Sequence, residues 1–385
     1  MLDLVMSILT YIVPFIFVLT VVVFFHELGH FLVGRWCGVK IDAFSIGFGP
    51  ELWGREDRRG TRWRVAAIPL GGYVKFHGDA NGASVPDPER IAAMPEEERK
   101  VAFAAQPVWK RMAIVLAGPV ANFVLALAIF TVLFATVGRN VLTPRVATVT
   151  PASAAAEAGF QPGDLVLSID DQPIDSFARM QEIVATSTGK PLTIVVRRAE
   201  REETLTATPQ LREIETALGK TRVGMLGLQA SNNPADLREE RFGLGRSVLL
   251  AAGETWMIVE RTGAYLGGLI AGREGADQLS GPIGIAQVSG QMAKAIDKVG
   301  LTPLFNLIAI LSISIGLLNL MPVPLLDGGH LMFYAIEAAR GRALAERTQE
   351  YAFRLGLAMV TTLMVFSTYN DVARLLRKLT GAGDN

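Results

Sequence analysis

The sequence predicts a mostly α-helical membrane protein, with four transmembrane helices, a membrane-associated β-hairpin region and one inserted α/β domain. Three observations carry this expectation. Half of the 385 residues are apolar and the mean hydropathy is positive. Four stretches are long and apolar enough for a bilayer core of about 30 Å. Between the second and third lies a polar region with the alternating pattern of short strands and the turn residues that join them.

Residues 1–38 form the first expected crossing. From Leu4 to Phe25 the chain carries no charge, and the apolar run resumes after His30 as Phe31-Leu32-Val33. It lacks a basic start and a small-x-small cleavage site, so it reads as a retained helix and not a signal peptide. Residues 39–110 form a polar loop. There Trp63–Ile68 reads as a strand, Gly71-Gly72 as a bend before another strand, and Gly47-Phe48-Gly49-Pro50 as a turn. Together they predict a hairpin at the membrane surface. The proline- and glutamate-rich stretch 82–100 reads as a mobile loop. Residues 111–138, following Lys110-Arg111, give the second crossing. Residues 139–230 give the α/β domain, with strands at Val146–Val149, Leu165–Ile169 and Leu192–Arg197 and a helix at Ser176–Thr186. In residues 231–301 the apolar pattern from Phe242 to Ala271 is interrupted by Arg246, Glu254, Glu260 and Arg261, which suits an amphipathic segment lying on the bilayer. Residues 302–338 supply the third crossing, broken by Pro322 and Pro324. Residues 339–385 hold a loop, a fourth crossing near Tyr351–Tyr369 and a C-terminal tail; Arg354 in that crossing is close enough to its end to snorkel.

The chemistry concentrates in His26-Glu27-Leu28-Gly29-His30, at the end of the first apolar run. Two histidines four apart share one helix face and can reach a single zinc ion, while Glu27 between them can deprotonate a water at the metal. Ionisable groups at such a depth are functional candidates by default. Zinc in a hydrolytic site takes three protein ligands and leaves a fourth position open. The remaining histidines are His77, which reads as a surface loop residue, and His330, so a carboxylate is the expected third ligand. Asp327 suits it. At about 1.5 Å per helical residue, His26 and Asp327 each lie roughly 33–36 Å along their crossings. With one crossing between them the two segments run in the same direction, so both residues reach one face. Asn319 could hold substrate backbone or stabilise a developing oxyanion. His330 is a weaker ligand candidate, since a helix-start or packing role suits it equally. Cys37 is the single cysteine, which excludes an intramolecular disulfide and a cysteine-rich metal site. Lys plus Arg and Asp plus Glu balance at 37 each, which gives no electrostatic footprint for nucleic acid.

With HELGH ending the first segment, Asn-x-x-Pro-x-Pro-x-Leu-Asp-Gly-Gly in the third, Gly47-Phe48-Gly49-Pro50, Pro69-Leu70-Gly71-Gly72-Tyr73-Val74-Lys75, and Ala117-Gly118-Pro119-Val120-Ala121-Asn122 in the second, the chain resembles the site-2 protease family. More closely it resembles the bacterial zinc proteases of regulated intramembrane proteolysis that cleave anti-sigma factors. The resemblance implies that His26, His30 and Asp327 bind one Zn²⁺, that Glu27 is the catalytic acid/base, and that Asn319 binds substrate. It also implies that Gly71, Gly72, Tyr73, Val74 and Lys75 form an edge strand clamping an unwound substrate. Residues 139–230 would be a PDZ domain, single where the best-known enterobacterial pattern has two in tandem. Family topology implies a multi-pass protein of the bacterial inner membrane, with the PDZ domain in the periplasm and the active site towards the cytoplasm. Lys110-Arg111, Arg340, Arg342 and Arg347 agree with that orientation, while Arg374, Arg377 and Lys378 fall on the other side. The expected partner is a single-pass membrane protein already cut by a first protease, such as an anti-sigma factor or a remnant signal peptide, together with membrane lipid. The alternative is a non-catalytic PDZ-bearing membrane scaffold, which the intact His, Glu, His and Asp set disfavours.

Overall fold

Long apolar runs, residues 4–25 and 112–136, make two of the helices that frame the site. The computed structural model describes residues 2–79, 93–216, 219–231, 233, 236–272 and 281–379. In chain order its main elements are α1 (Leu2–Trp36), β1 (Ile41–Glu56), β2 (Arg62–Phe76), α2 (Val108–Thr136), β3 (Arg139–Leu142), β4 (Val146–Val149), β5 (Leu165–Ile169), α3 (Phe177–Thr186), β6 (Leu192–Arg198), β7 (Arg201–Ala207), β8 (Gln210–Thr216), β9 (Gly219–Met225), β10 (Leu228–Ala230), β11 (Leu237–Glu240), α4 (Leu244–Ile270), α5 (Pro282–Lys294), α6 (Thr302–Asn319), α7 (Asp327–Arg340) and α8 (Glu346–Leu379). The stretch read as a mobile loop lies mostly outside the described residues; within its end, Glu96–Arg99 make one helical turn.

Among the described residues four helices are long and apolar enough to cross a membrane: Leu9–Trp36, Val108–Thr136, Thr302–Asn319 and Arg347–Leu376. The shortest has 18 residues, which at 1.5 Å each reaches about 27 Å, close to the hydrocarbon thickness. Val13, Phe17, Val124, Leu355 and Val365 turn outward and are exposed, as side chains facing lipid would be. Helix α4 carries Arg246, Glu254, Glu260 and Arg261 and is not one of the four.

The chain divides into two compact units. The first comprises Met1–Thr131, Val248–Gly263 and Gly272–Asn385. In it β1 and β2 form a curled antiparallel pair whose register shifts repeatedly. Ala43 pairs with both Lys75 and Arg62, and Ser45 with both Tyr73 and Arg64, while Trp53 reaches Val65 from the far side. The order of segments is therefore 72–76, 41–46, 62–66 and 51–56. Segment 72–76 lies at one margin, and its free side pairs with no other strand among the described residues. The sequence expectation of a turn at Gly47–Pro50 and a break at Gly71-Gly72 resolves differently. Both lie inside continuous strands and act as kinks that curl the sheet. Phe31, Phe44, Phe76, Phe103 and Ile114 fuse this sheet to α1 and α2 in one buried cluster, with Trp63 stacked on Phe44 at 4.4 Å. His77, expected at the surface, is buried there, its Nδ1 2.9 Å from Asp42. A second cluster, Val18, Val22, Leu125, Leu304 and Ile308, joins α1, α2 and α6.

Helix α6 ends at Asn319, and Pro322 and Pro324 keep residues 320–326 from continuing it. Asp327 then opens α7. The aspartate's level thus depends on a turn, where the count from sequence had carried a helical rise through to it. Cβ atoms at Gly328 and Gly329 would strike the carbonyls of Leu320, Met321 and Val323. Two glycines after the aspartate are what let α7 start against that turn.

The second unit comprises Val132–Ser247 and Ala264–Ala271. Strands β5, β6 and β7 form a sheet extended by Gln172–Pro173. Alternation sets its core: Leu192, Ile194 and Val196 are buried while Thr193 is exposed. Phe177, Met180 and Val184 on one face of α3 complete it. Ser176 caps α3, its Oγ accepting from the Arg179 N–H. Buried Asp164 is gripped by Arg198 at 2.8 Å through both oxygens. Burial works to raise that carboxyl, and the Arg198 guanidinium and the Gln161 N–H override it, leaving it below its ordinary value.

Candidate metal centre

His26 and His30 stand one turn apart on α1, their rings edge to face with centroids 4.8 Å apart. Their Nε2 atoms approach to 3.3 Å. Asp327 Oδ2, at the start of α7, lies 3.1 Å from His26 Nε2 and 3.6 Å from His30 Nε2. A tetrahedral zinc with bonds of about 2.0–2.2 Å sets its ligands roughly 3.4 Å apart. The observed triangle is one face of such a tetrahedron, with the fourth corner left for substrate or water.

Two further observations fit a cation there. Asp327 Oδ2 is buried and hydrogen-bonds to no group, although two imidazole nitrogens face it. The Ile114 carbonyl lies 2.9 Å from His30 Nδ1, and a carbonyl only accepts. Nδ1 therefore carries the proton, and Nε2 presents its lone pair towards the other two donors. One donor atom from each of His26, His30 and Asp327 lies within 4.8 Å of the others, close enough to hold one ion.

The packing that permits this comes from α2. A Cβ at Gly118 would overlap His30 Nε2 and Cε1 and crowd His26 Cε1. Helix α2 crosses the two rings at a distance only glycine allows. Gly29 does the same from α1, facing the Ala117 carbonyl. Small residues bring helix backbones together in this way in membranes.

A cavity of about 620 Å³ opens on the triangle. Glu27, Asn319, Gly71, Gly72, Tyr73 and Val74 all line it, and His330 does too; Lys75 does not. The marginal strand segment lies over Glu27: a Cβ at Gly72 would meet Glu27 Cγ at 3.2 Å, and Val74 lines the same cavity as Glu27. Asn319 Nδ2 is 3.4 Å from His26 Nε2, which puts a neutral amide at the rim of the triangle. His330 packs against Phe353 and Tyr334 at 5.4 and 6.4 Å between centroids and stands outside the set of three donors.

Sequence reasoning assigned no role to Ile114, Gly118 or Asn122. Asn122 left a signal, an amide in the uncharged stretch of α2 over residues 112–136. Its amide lies 3.3 Å from His26 Nδ1.

The profile of Peptidase family M50 matches residues 14–363. A protein of Agrobacterium fabrum that bears zinc metalloprotease in its name is 48% identical over 367 residues, 95% of this chain and 96% of its own. Metalloprotease MmpA of Caulobacter vibrioides is 42% identical, over 94% of this chain and 95% of its own. The regulator of sigma-E protease RseP of Salmonella typhimurium is 30% identical, over 96% of this chain and all of its own. Among solved structures, the PDZ domain of the SdrC-like protein from Listeria monocytogenes aligns with 22% of this chain and 84% of its own at 21% identity, with a TM-score of 0.19; a score so low supports no fold assignment. The family match over most of the chain and the His, His, Asp triangle agree, and the chain belongs to Peptidase family M50, the site-2 protease family, as a zinc metalloprotease.

Proposed function

We propose that this metalloprotease hydrolyses a peptide bond within or near the transmembrane helix of a single-pass membrane protein, after a first protease has cut that protein elsewhere. A pre-cut anti-sigma factor or a remnant signal peptide is the substrate class. The observation that carries this reading is the position of the donor triangle: its two histidines lie on a helix long enough to cross a membrane, its aspartate follows the turn that ends another such helix, and it sits beside a strand margin left unpaired among the described residues. Peptide bonds in a helix are shielded by their own hydrogen bonds, so the substrate must unwind. Segment 72–76 offers the freed backbone a row of partners, a β-addition mode of recognition. Gly71, Gly72, Tyr73, Val74 and Lys75 are the residues we assign to it, with Asn319 holding the backbone near the cut.

When bound, zinc lowers the pKa of water and polarises the scissile carbonyl. Glu27 accepts the proton of the attacking water and returns it to the leaving amine. Asn319 donates to the carbonyl oxygen as charge builds on it.

The second unit is read as one PDZ domain. Its apolar cavity of about 260 Å³, between Phe177, Met180 and Val184 on α3 and the Gly224–Leu228 segment, suits that reading. We place it in the periplasm and the triangle towards the cytoplasmic face of a bacterial inner membrane. Reconstitution tests the proposal. Purified protein in liposomes should cut a single-pass substrate shortened on its lumenal side much faster than the intact one, and Glu27→Gln should cut neither. Equal cleavage of a soluble peptide and of the embedded helix would refute the intramembrane assignment. Labelling of single cysteines introduced at exposed positions 200 and 350, in a Cys37→Ser background, tests the sidedness.

A further inference from the structure

Each ligand histidine needs its second ring nitrogen held, because the metal takes the lone pair of one nitrogen and the other must then carry the proton. For His30 a backbone carbonyl does this. For His26 the group within hydrogen-bond reach of Nδ1 is the side-chain amide of Asn122, at 3.3 Å. Asn122 is fully buried. Its backbone carbonyl accepts from Ser312 Oγ at 2.9 Å, and its Cβ lies where α6 passes closest, at Gly316. The side chain is thus pinned between two helices and aimed at the ring.

The amide end can face the ring in two ways, since nitrogen and oxygen exchange by a half-turn. With Nδ2 facing Nδ1, the amide donates, Nε2 must carry the proton, and that proton points into the donor triangle. In that orientation Asn122 Oδ1 is also left buried without a partner. With Oδ1 facing Nδ1, the amide accepts the Nδ1 proton, and Nε2 is free to bind. The metal-loaded protein admits only the second arrangement.

We infer that Asn122 is the positioning residue that fixes His26 in its metal-binding tautomer, through acceptance of the Nδ1 proton by its side-chain oxygen. This rests on the zinc assignment. Groups that orient a ligand histidine in this way are commonly worth ten- to a hundredfold in metal affinity. A purely structural role, an amide gluing α2 to its neighbours, makes a different forecast. It needs the donor nitrogen, or simply the volume, and gives the metal no preference among substitutes.

The test uses full-length protein in detergent, with zinc dissociation constants from competition with a chromophoric chelator. Asn122→Leu keeps the volume and removes the acceptor; its affinity should fall at least tenfold. Asn122→Asp keeps acceptor oxygens and removes the donor, forming a carboxylate–histidine pair; its affinity should stay within threefold of the parent or rise. Metal-free thermal midpoints of both variants show whether packing has changed. A Leu variant that binds zinc as tightly as the parent overturns the assignment. So does an Asp variant that loses tenfold or more, and that arm decides alone if the Leu variant does not fold. Failure of the parent to bind one zinc would instead refute the metal site itself.

Discussion

Glu27 lies against the Gly72 strand segment and is flanked on its helix by the two histidines, so the proposed mechanism depends on a titratable oxygen at one place. Glu27→Gln keeps the shape and removes the base. The variant should bind zinc with near-parental affinity while turnover falls by about 10²–10⁴-fold; measuring both on one preparation separates chemistry from metal loss. A Gln variant with undiminished cleavage would eliminate Glu27 as the acid/base. The three donors were legible because polar residues in an uncharged segment have few bland explanations. Ile114 was not: it acts through its backbone carbonyl, which every residue possesses. Only the path of α2 across α1 reveals which carbonyl meets a ring. Asn122 is the intermediate case, visible as an odd residue but without a partner until the helices are docked.

Helices α1 and α2 meet through glycines, and that contact decides whether the imidazoles fit. Gly118→Ala introduces a methyl where His30 Nε2 lies. Overpacking of this kind costs about 1–3 kcal/mol, and here relief must come from tilting a ligand ring or parting two helices. Zinc affinity should drop by more than tenfold, whereas Gly263→Ala, with open space around it, should leave it unchanged; equal effects would disprove the contact. The sheet segment offers a pH test. Asp79, next to the end of β2, is fully buried, and its oxygens make no hydrogen bond. Burial pushes its carboxyl from the ordinary 3.8 up to about 8. A raised carboxyl binds its proton more tightly when folded, so the stability it contributes is complete below about pH 4 and is lost as pH rises through 8. Asp79→Asn should flatten the fall in thermal midpoint between pH 5 and 8. A midpoint whose pH slope is the same in both proteins would contradict the buried acid. Strand positions were foreseen where alternation was clean, as at Leu192–Arg197. The curl of β1 and β2 was not, because it comes from long-range pairing of one segment with two others, and glycines that read as turns serve there as kinks.

At the level of the whole chain, His26, His30 and Asp327 all belong to the first unit, and residues 143–236 are carried between two paired strands. Leu142 pairs with Leu237, and Arg139 with Glu240, in an antiparallel ladder. The inserted region therefore leaves and returns at neighbouring points, and its removal need not strain the helices. That insertion was legible from composition, since a polar alternating stretch between apolar segments cannot share their environment; its closing strand was not, for four residues carry too little pattern. Replacement of residues 143–236 by Asn-Gly, a pair that closes two-residue hairpins, should leave one zinc bound with affinity within threefold of the parent. Cleavage of a short membrane-embedded helix should persist as well. What should be lost is discrimination: the shortened protein should cut intact and pre-cut forms of a single-pass substrate at similar rates, whereas the parent should favour the pre-cut form. Loss of zinc on removal would mean that the insertion holds the helices in register. Retained preference for the pre-cut form would move substrate selection from the insertion to the helices and the strand margin around Glu27.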